Sequence, residues 1–382
     1  MSTDELNQEI ERIWYSMETK QDLLKLLNLA NQGLYGDKAK PYSLRQLNYH
    51  AHSKFNSKRY ISFRIPKKKK GEFRTIDAPN PTLKGMQRAL NNVLQLIYTP
   101  SPAAMGFTPG RSIVTGAQMH VGQKFVYNID LENFFPSITS GRIYARMLSR
   151  PFSCNKEVAS LIADLCCYEN NFGKVLPQGA PTSPMLTNII CDRLDVKLLH
   201  LAKSYGLRYT RYADDITFSG MINMFADDGK FCQSLHHIIE KEENFKINKD
   251  KTRICHRGIR QEVTGVTVND KPNVTQEYVK QLRSMLHNWE AKGYNEAQSI
   301  FIDIYNRTNT KHHASKGGHH IENIIAGKLL YLKMVKGESD ATYKSLYGRF
   351  DRLLSNKYGK GQVKVDDDIV NTFAELESLL ID

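Results

Sequence analysis

The chain has 382 residues, of which 41% are hydrophobic and 24% are charged, as in a soluble globular protein of two or three subdomains. It has no run of about 18 apolar residues, its first residues lack the pattern of a secretory signal, and its six cysteines show no Cys-x-x-Cys spacing. We therefore expect a cytoplasmic protein with no membrane partner, structural zinc or disulfide framework. The net charge of +13 indicates a polyanionic partner, with nucleic acid as the first candidate and an inert basic surface as the alternative.

Hydrophobic periodicity predicts a mixed α+β chain whose first 50 residues are helical. Strands are predicted over Tyr60–Pro66, Phe73–Ile76, Phe125–Leu131 and from Phe245 onward. Helices are predicted over 82–98, 140–150, 155–168, 184–203, 228–243 and 275–289, with a mostly helical tail. The segment 269–273 is rich in turn-forming residues and is a plausible domain boundary.

Two adjacent carboxylates, Asp214 and Asp215, lie between two segments rich in β-forming residues, which predicts a hairpin with the acids at its tip. Adjacent carboxylates repel each other unless a cation or a proton neutralises them, so the pair is either a solvated turn or a Mg²⁺ site. Asp130 ends a predicted strand earlier in the chain. One acid at a strand end and another on a neighbouring hairpin are typical of two-metal phosphoryl transfer.

Between these acids lies a turn of Gly and Pro residues, Leu176–Pro184, in which Thr182 or Ser183 can cap the following helix. The order of motifs resembles the palm of a reverse transcriptase: Asn128–Ser137, then Pro177–Pro184, then Tyr212–Asp215. The resemblance covers roughly residues 45–270.

The resemblance implies a role for several individual residues. Asp130, Asp214 and Asp215 match the catalytic metal-binding acids, with Leu131 beside them, and two Mg²⁺ ions are implied, for which Mn²⁺ can substitute. Phe135 matches the aromatic gate that rejects a ribonucleotide 2′-OH. The stretch that holds template and incoming nucleotide is matched by Gln178 and Gly179.

The basic hairpin matches the fingers, and it offers four candidates to bind the triphosphate: Arg64, Lys67, Lys68 and Arg74. Arg74 is the best placed by motif, and an arginine can grip phosphate oxygens bidentately. A solvated turn is the alternative for the lysines. Lys251 is the candidate to stabilise or protonate the leaving pyrophosphate, with a plain surface lysine as the alternative.

The implied fold is a right-hand polymerase with an antiparallel palm sheet flanked by helices and a mostly helical thumb. The expected domains are an N-terminal helical extension (1–50), fingers with part of the palm (51–125), palm with a fingers insertion at about 140–185 (126–268), and thumb with C-terminal helices (269–382). On the thumb, Lys280, Arg283 and His287 follow one helix face that could track an RNA duplex. A plain amphipathic helix is the alternative.

Three features are similar to bacterial retron reverse transcriptases. The triplet Val263, Thr264 and Gly265 resembles the retron signature that helps to select the cognate RNA. Ala117 and His120 match a retron Asn-Ala-x-x-His pattern, in which Gly116 replaces the Asn. The third feature is Cys166-Cys167-Tyr168 just before the Pro-Gln-Gly motif, which resembles the sequence of retron enzymes at that place. These matches imply RNA-binding roles for the triplet and for His120.

Retron membership implies an enzyme that binds a structured non-coding RNA, starts DNA synthesis with dNTPs from a guanosine 2′-OH and leaves branched RNA–DNA (msDNA). It further implies an effector protein partner in anti-phage defence. A higher-order assembly of the enzyme with its partners is also compatible with the resemblance. Another defence-associated reverse transcriptase with a different primer or template is the first alternative. A non-catalytic RNA-binding scaffold is the second, and the intact acids Asp130, Asp214 and Asp215 argue against it.

Overall fold

The computed structural model describes residues 2–52, 59–66, 71, 73–226, 228–308 and 320–358. The chain divides into two compact units. The first contains Met1–Ser112 and Lys124–Ile254, and the second contains Ile113–Gln123 together with the chain from Cys255 onward. A short internal segment therefore belongs to the same unit as the C-terminal part, whereas the domain boundary expected at residue 269 stays a prediction.

The helices of the first unit are α1 (Thr3–Ser16), α2 (Lys20–Tyr35), α3 (Leu44–Ala51), α4 (Pro81–Ile97), a short α6 (Phe134–Ser137), α7 (Ser140–Leu148), α8 (Lys156–Cys166), α9 (Ser183–Ser204) and α10 (Lys230–His236). The helix α5 (Ile113–Gln118) belongs to the second unit. The strands are β1 (Tyr60–Pro66), β2 (Phe73–Pro79), β3 (Phe125–Glu132), β4 (Tyr168–Asn170), β5 (Gly173–Val175), β6 (Arg208–Tyr212), β7 (Asp215–Gly220) and β8 (Lys246–His256). The element bounds expected from periodicity agree with these to within a few residues, except that α10 continues as a π-helical turn, His237–Glu242.

The N-terminal helices have clear start signals. The side chains of Ser2, Thr19 and Ser43 each accept a hydrogen bond from the backbone N–H three residues later. A side-chain oxygen of the residue at that position accepts one from the backbone N–H of the cap residue, which forms a capping box at all three. Their apolar faces join α4, α8 and α9 in one core that includes Trp14, Leu27 and other fully buried side chains. Since this burial supplies most of the stabilisation, the first 50 residues are an integral part of the unit.

The sheet that positions the acids has four strands in the described residues, in the order β6-β7-β3-β8. β3 and β7 are antiparallel, as are β6 and β7. Ile129, Ile216 and Phe218 are fully buried between the sheet and the helices. The expected mixed fold with an antiparallel sheet is confirmed at this level.

In the second unit, α5 packs on a small hairpin of β9 (Glu262–Val263) and β10 (Val266–Thr267). The remaining helices are α11 (Gln276–Lys292), α12 (Tyr294–Thr308), α13 (Ile321–Lys336) and α14 (Ala341–Tyr358). Leu282, Leu286 and Trp289 form the buried face of α11. Among the described residues, no helix is both long and apolar enough to cross a membrane.

Candidate active site

The acid hairpin has the form that the sequence predicts. Tyr212 at the end of β6 pairs with Asp215 at the start of β7, so Ala213 and Asp214 form a two-residue turn. Ala213 has φ of +52°, a left-handed conformation that costs energy for a residue with a Cβ. The Leu131 backbone N–H donates to the Asp214 carbonyl at 3.1 Å. The turn is therefore tied to the neighbouring strand β3.

Asp130 and Asp214 form a repelling acid pair at this turn. Asp130 lies opposite Asp215 in the β3–β7 register. Burial of the Asp214 carboxyl, reinforced by the negative charge of Asp130, raises its pKa to about 6. The charges of Lys251 and Arg74 oppose this rise. A carboxyl whose pKa is raised by burial and by a second acid marks a place where a bound cation would be stabilised.

Two side chains from β8 hold the Asp130 carboxylate. Asn248 donates from Nδ2 to Oδ1 at 3.1 Å, and Lys251 Nζ lies 3.1 Å from Oδ2. The Lys251 side chain is 45% exposed and that of Asp130 is 20% exposed, so the pair stabilises the fold by at most about 1 kcal/mol. Its effect is local, because it sets one positive charge directly beside the acid pair.

The donor set fits a hard divalent cation whose coordination is completed by a substrate. Within the described part of the chain, no three His, Cys, Asp or Glu side chains are grouped as metal ligands. The acid pair supplies carboxylate oxygens, and Mg²⁺ is usually held by one or two carboxylates together with substrate phosphates. The structure thus couples two of the predicted metal-binding acids, and it places the third, Asp215, at the neighbouring register position.

The two arginines of the basic hairpin lie on opposite faces of it. Arg64 pairs with Thr75, whereas Arg74 pairs with Ile65, and alternate positions of a strand point to opposite sides. Burial lowers the pKa of Arg74, and the charge of Asp214 counters this, which places the guanidinium within electrostatic reach of the turn. Arg64 is exposed on the other face. Arg74 therefore lies on the face of the hairpin toward the acids, and Arg64 lies on the opposite face.

Lys67 and Lys68, the other two candidates to bind the triphosphate, lie outside the described residues.

The Pro-Gln-Gly turn is tied to β2 by its backbone. The Gln178 carbonyl accepts a hydrogen bond from the Asp77 backbone N–H at 2.8 Å. Gly179 has φ of +125°, and a Cβ there would lie 2.8 Å from Ile76 Cγ2. Only glycine fits at this close approach.

Phe135 follows β3, and its role as an aromatic gate stays a prediction. Phe135 is half-buried and meets Phe134 edge to face, 5.6 Å between ring centroids. Thr182 makes no side-chain cap on α9, and the Ser183 hydroxyl instead donates to the Pro177 carbonyl at 2.7 Å. The expected hydroxyl cap is wrong, because Ser183 is used to close the preceding turn.

In the second unit, the predicted RNA-binding residues differ in exposure. Thr264 and Gly265 have φ of +46° and +80° and form the tip of the β9–β10 hairpin, with Val263 buried beneath it. His120 has no exposed surface, so its burial does not support the predicted direct contact of this side chain with RNA. Lys280, Arg283 and His287 are all exposed on α11, opposite its buried face.

Sequence reasoning missed the role of Asn248. It assigned Lys251 in the same segment but gave no function to the amide that also holds Asp130. The spacing offered no signal, because residues three apart on a regular strand point to opposite faces. The partner could not be read from the sequence, since the contact joins segments far apart in the chain.

Comparison with known proteins agrees with this geometry. The family of reverse transcriptases (RNA-dependent DNA polymerases) matches residues 65–301. The retron Mx65 reverse transcriptase of Myxococcus xanthus is 38% identical over 261 residues, which cover 64% of this chain and 59% of the relative. The retron Ec86 reverse transcriptase of Escherichia coli is 37% identical over 232 residues, which cover 60% of this chain and 69% of the relative. The chain thus spans less than two thirds of the first of these relatives.

A solved structure of telomerase from Candida albicans with a fragment of telomeric RNA overlays 84% of this chain and 65% of its own, at a TM-score of 0.42 and 10% identity. A likeness at that level supports no conclusion about this chain. The family match and the sheet with its acid turn are enough: the chain belongs to the reverse transcriptase family. Within that family, its similarity is to the retron enzymes.

Proposed function

We propose that this protein is a retron-type RNA-directed DNA polymerase that copies part of a structured non-coding RNA into DNA. The observation that carries the proposal is the coupling of Asp130 and Asp214 beside Lys251, because it joins an acid pair to a positive charge on neighbouring strands. Such an arrangement suits the transfer of a nucleotide to a hydroxyl.

Each residue of the site has a proposed role. Asp130, Asp214 and Asp215, with Leu131 beside them, would hold divalent ions, Mg²⁺ by preference with Mn²⁺ as a substitute. When bound, these ions lower the pKa of the attacking hydroxyl and neutralise charge on the phosphates. Lys251 protonates or neutralises the leaving pyrophosphate.

The surrounding residues select and orient the nucleotide. Arg74 binds the triphosphate from the hairpin face that lies toward Asp214. Phe135 packs against the sugar and excludes a 2′-OH. Gln178 and Gly179 hold the base pair of template and incoming nucleotide, since their turn is fixed to β2.

In this proposal the four-stranded sheet is the palm, the β1–β2 hairpin belongs to the fingers, and the helices after residue 269 form the thumb. The hairpin tip at Thr264 and Gly265 helps to select the cognate RNA, and the exposed side chains of α11 contact phosphates and 2′-hydroxyls. The net charge of +13 suits this polyanionic partner.

The primer is proposed to be the 2′-OH of one guanosine in the RNA, so that the product is branched RNA–DNA. The protein and its product are proposed to act in the cytoplasm with an effector protein in anti-phage defence. Gly116, which stands where the retron pattern has Asn, favours one alternative: a related defence reverse transcriptase with another primer.

Sequencing the nucleic acid that copurifies with the protein tests the proposal. A DNA strand joined 2′–5′ to a guanosine of a structured RNA is the expected product. An unbranched DNA would support the alternative primer and overturn the retron assignment. RNA without any DNA, together with no incorporation of dNTPs by the purified protein, would overturn the polymerase assignment.

A further inference from the structure

A fully buried ion pair lies directly behind the acid turn. Arg211 of β6 and Asp195 of α9 have no exposed surface. The guanidinium Nε and Nη2 each lie 2.7 Å from one carboxylate oxygen, so the pair is bidentate. The Tyr209 hydroxyl donates a further bond to Asp195 Oδ1 at 2.7 Å. Burying two charges is costly, and apolar side chains of similar volume would often stabilise a core as well.

The guanidinium also contacts the turn itself. Arg211 Nη1 donates to the carbonyl of Ala213 at 3.2 Å. Ala213 is the residue with φ of +52°, and it immediately precedes Asp214. A strained left-handed alanine persists only when its surroundings fix it, and this hydrogen bond is one such constraint.

A second set of contacts holds the same turn from the segment 103–106. Asn188 of α9 accepts from Arg211 Nη2 at 3.2 Å and donates from Nδ2 to the Gly106 carbonyl at 2.9 Å. A Cβ at Gly106 would lie 3.1 Å from the backbone nitrogen of Ala213, so this segment lies directly against the turn. Helix α9, segment 103–106 and the turn therefore share one buried polar network.

We propose that Arg211 is a positioning residue that, with Asp195 and Asn188, fixes the Ala213–Asp214 turn in the geometry that catalysis needs. The inference rests on the proposed polymerase function. It explains why a buried charge pair stands where an apolar pair would suffice for packing: only a guanidinium held by Asp195 can also donate to the Ala213 carbonyl. Displacement of Asp214 by about 1 Å costs on the order of 100-fold in rate, so the proposal gives the network a measurable effect.

Two variants separate positioning from stability. Arg211→Lys keeps the charge but loses the planar set of donors. The triple variant Arg211→Met, Asp195→Leu, Tyr209→Phe replaces the buried ion pair and its tyrosine by apolar side chains, keeps Asn188 and leaves the turn carbonyl without its donor. Trp14→Phe is the control for stability alone, because it removes a buried hydrogen bond from Nε1 of Trp14 in α1 to the Phe152 carbonyl between α7 and α8.

Each protein is measured for thermal stability, for kcat per active site by steady-state primer extension after active-site titration, and for Mn²⁺ affinity without nucleotide by electron paramagnetic resonance. We expect kcat per active site to fall about 10-fold or more in both network variants, with weaker Mn²⁺ binding, even where the triple variant is as stable as the wild type. Trp14→Phe should lose stability and keep both kcat and Mn²⁺ affinity.

The proposal is overturned if the apolar triple variant recovers kcat together with stability. It is also overturned if Arg211→Lys loses activity only in proportion to its folded fraction. If the triple variant does not fold, Arg211→Lys decides alone. A wild-type protein without DNA synthesis would sink the proposed function, yet the Mn²⁺ measurement would still report whether Arg211 shapes the turn.

Discussion

Replacing Gly179 by alanine tests the close contact between the Pro-Gln-Gly turn and strand β2. A Cβ at this position meets Ile76 Cγ2 at 2.8 Å and the Asp77 carbonyl oxygen at 3.2 Å, and the backbone has φ of +125°. The conformation costs an alanine about 1–3 kcal/mol. The clash with the buried Ile76 costs about 1–3 kcal/mol more, because a packed side chain and a backbone atom give way only by moving the strand.

Gly173→Ala is the matched control. Gly173 has φ of +94°, and a Cβ added there would meet no other atom of the described residues within 4 Å. Its substitution therefore carries the conformational cost without the clash. Chemical denaturation should show a loss of about 1–3 kcal/mol in the free energy of unfolding for the control and about 2–6 kcal/mol for Gly179→Ala.

Single-turnover primer extension then measures the effect on nucleotide incorporation. The clash separates the turn from β2, so Gly179→Ala should lose at least about 10-fold in rate per folded molecule, while the control keeps its rate. Equal stability of the two variants would refute the steric argument. An unchanged incorporation rate for Gly179→Ala would refute the role of this turn in holding the nucleotide.

Three further predictions concern charge, selectivity and pH. Lys251→Met should lower kcat by about 100-fold and yet tighten Mn²⁺ binding to the free protein, because no ammonium then competes for Asp130. Phe135→Val should raise incorporation of ribonucleotides relative to deoxyribonucleotides by about 10-fold or more, measured by competition in primer extension. Burial, aided by the charge of Arg59, lowers the pKa of His50 to about 4, so its protonation favours the unfolded state. The free energy of unfolding should therefore fall by roughly 3 kcal/mol between pH 6.5 and 4. The variant His50→Gln should remove this loss.

Each of these has a result that contradicts it. Unchanged or weaker Mn²⁺ binding in Lys251→Met would mean that the ammonium does not compete for the acid. Unchanged sugar selectivity in Phe135→Val would remove the gate assignment. The same stability loss on acidification in His50→Gln and the wild type would assign the pH dependence to other groups.

Much of the fold is predictable because local patterns decide it. The strand Phe125–Glu132, the helix after Pro184 and the Tyr212–Asp215 hairpin all follow from periodicity and turn chemistry. The capping boxes at Ser2 and Thr19 are likewise local. These features depend on residues that are close in sequence, so a single chain specifies them.

The network behind the turn could not be predicted in the same way. Asp195 and Arg211 are charged, and charged residues are expected at the surface unless a partner is known. Their pairing joins a helix to a strand, and burial is a property of the assembled core. His120 is a similar case, since its 0% exposure depends on the packing of its unit rather than on its own segment.

The separation of Arg64 from Arg74 is predictable only in part. Both belong to a basic hairpin that the sequence predicts, and both are plausible phosphate ligands. Which one lies toward the acids depends on the register, in which Arg64 meets Thr75 and Arg74 meets Ile65. A shift of one residue in the pairing would place both arginines on the same face, and the sequence alone does not fix the register across the turn.

The most direct test of the central claim is DNA synthesis by Asp214→Asn on an RNA template. Loss of this carboxylate should lower dNTP incorporation by at least about 1000-fold, because several kcal/mol of charge stabilisation by bound metal depend on it. RNA binding should stay within about twofold of the wild type, since one carboxylate at the turn adds no phosphate contact. Asp228→Asn, at an exposed acid before α10, is the control that should keep full activity. DNA synthesis by Asp214→Asn at the wild-type rate would contradict the assignment of this turn as the catalytic centre.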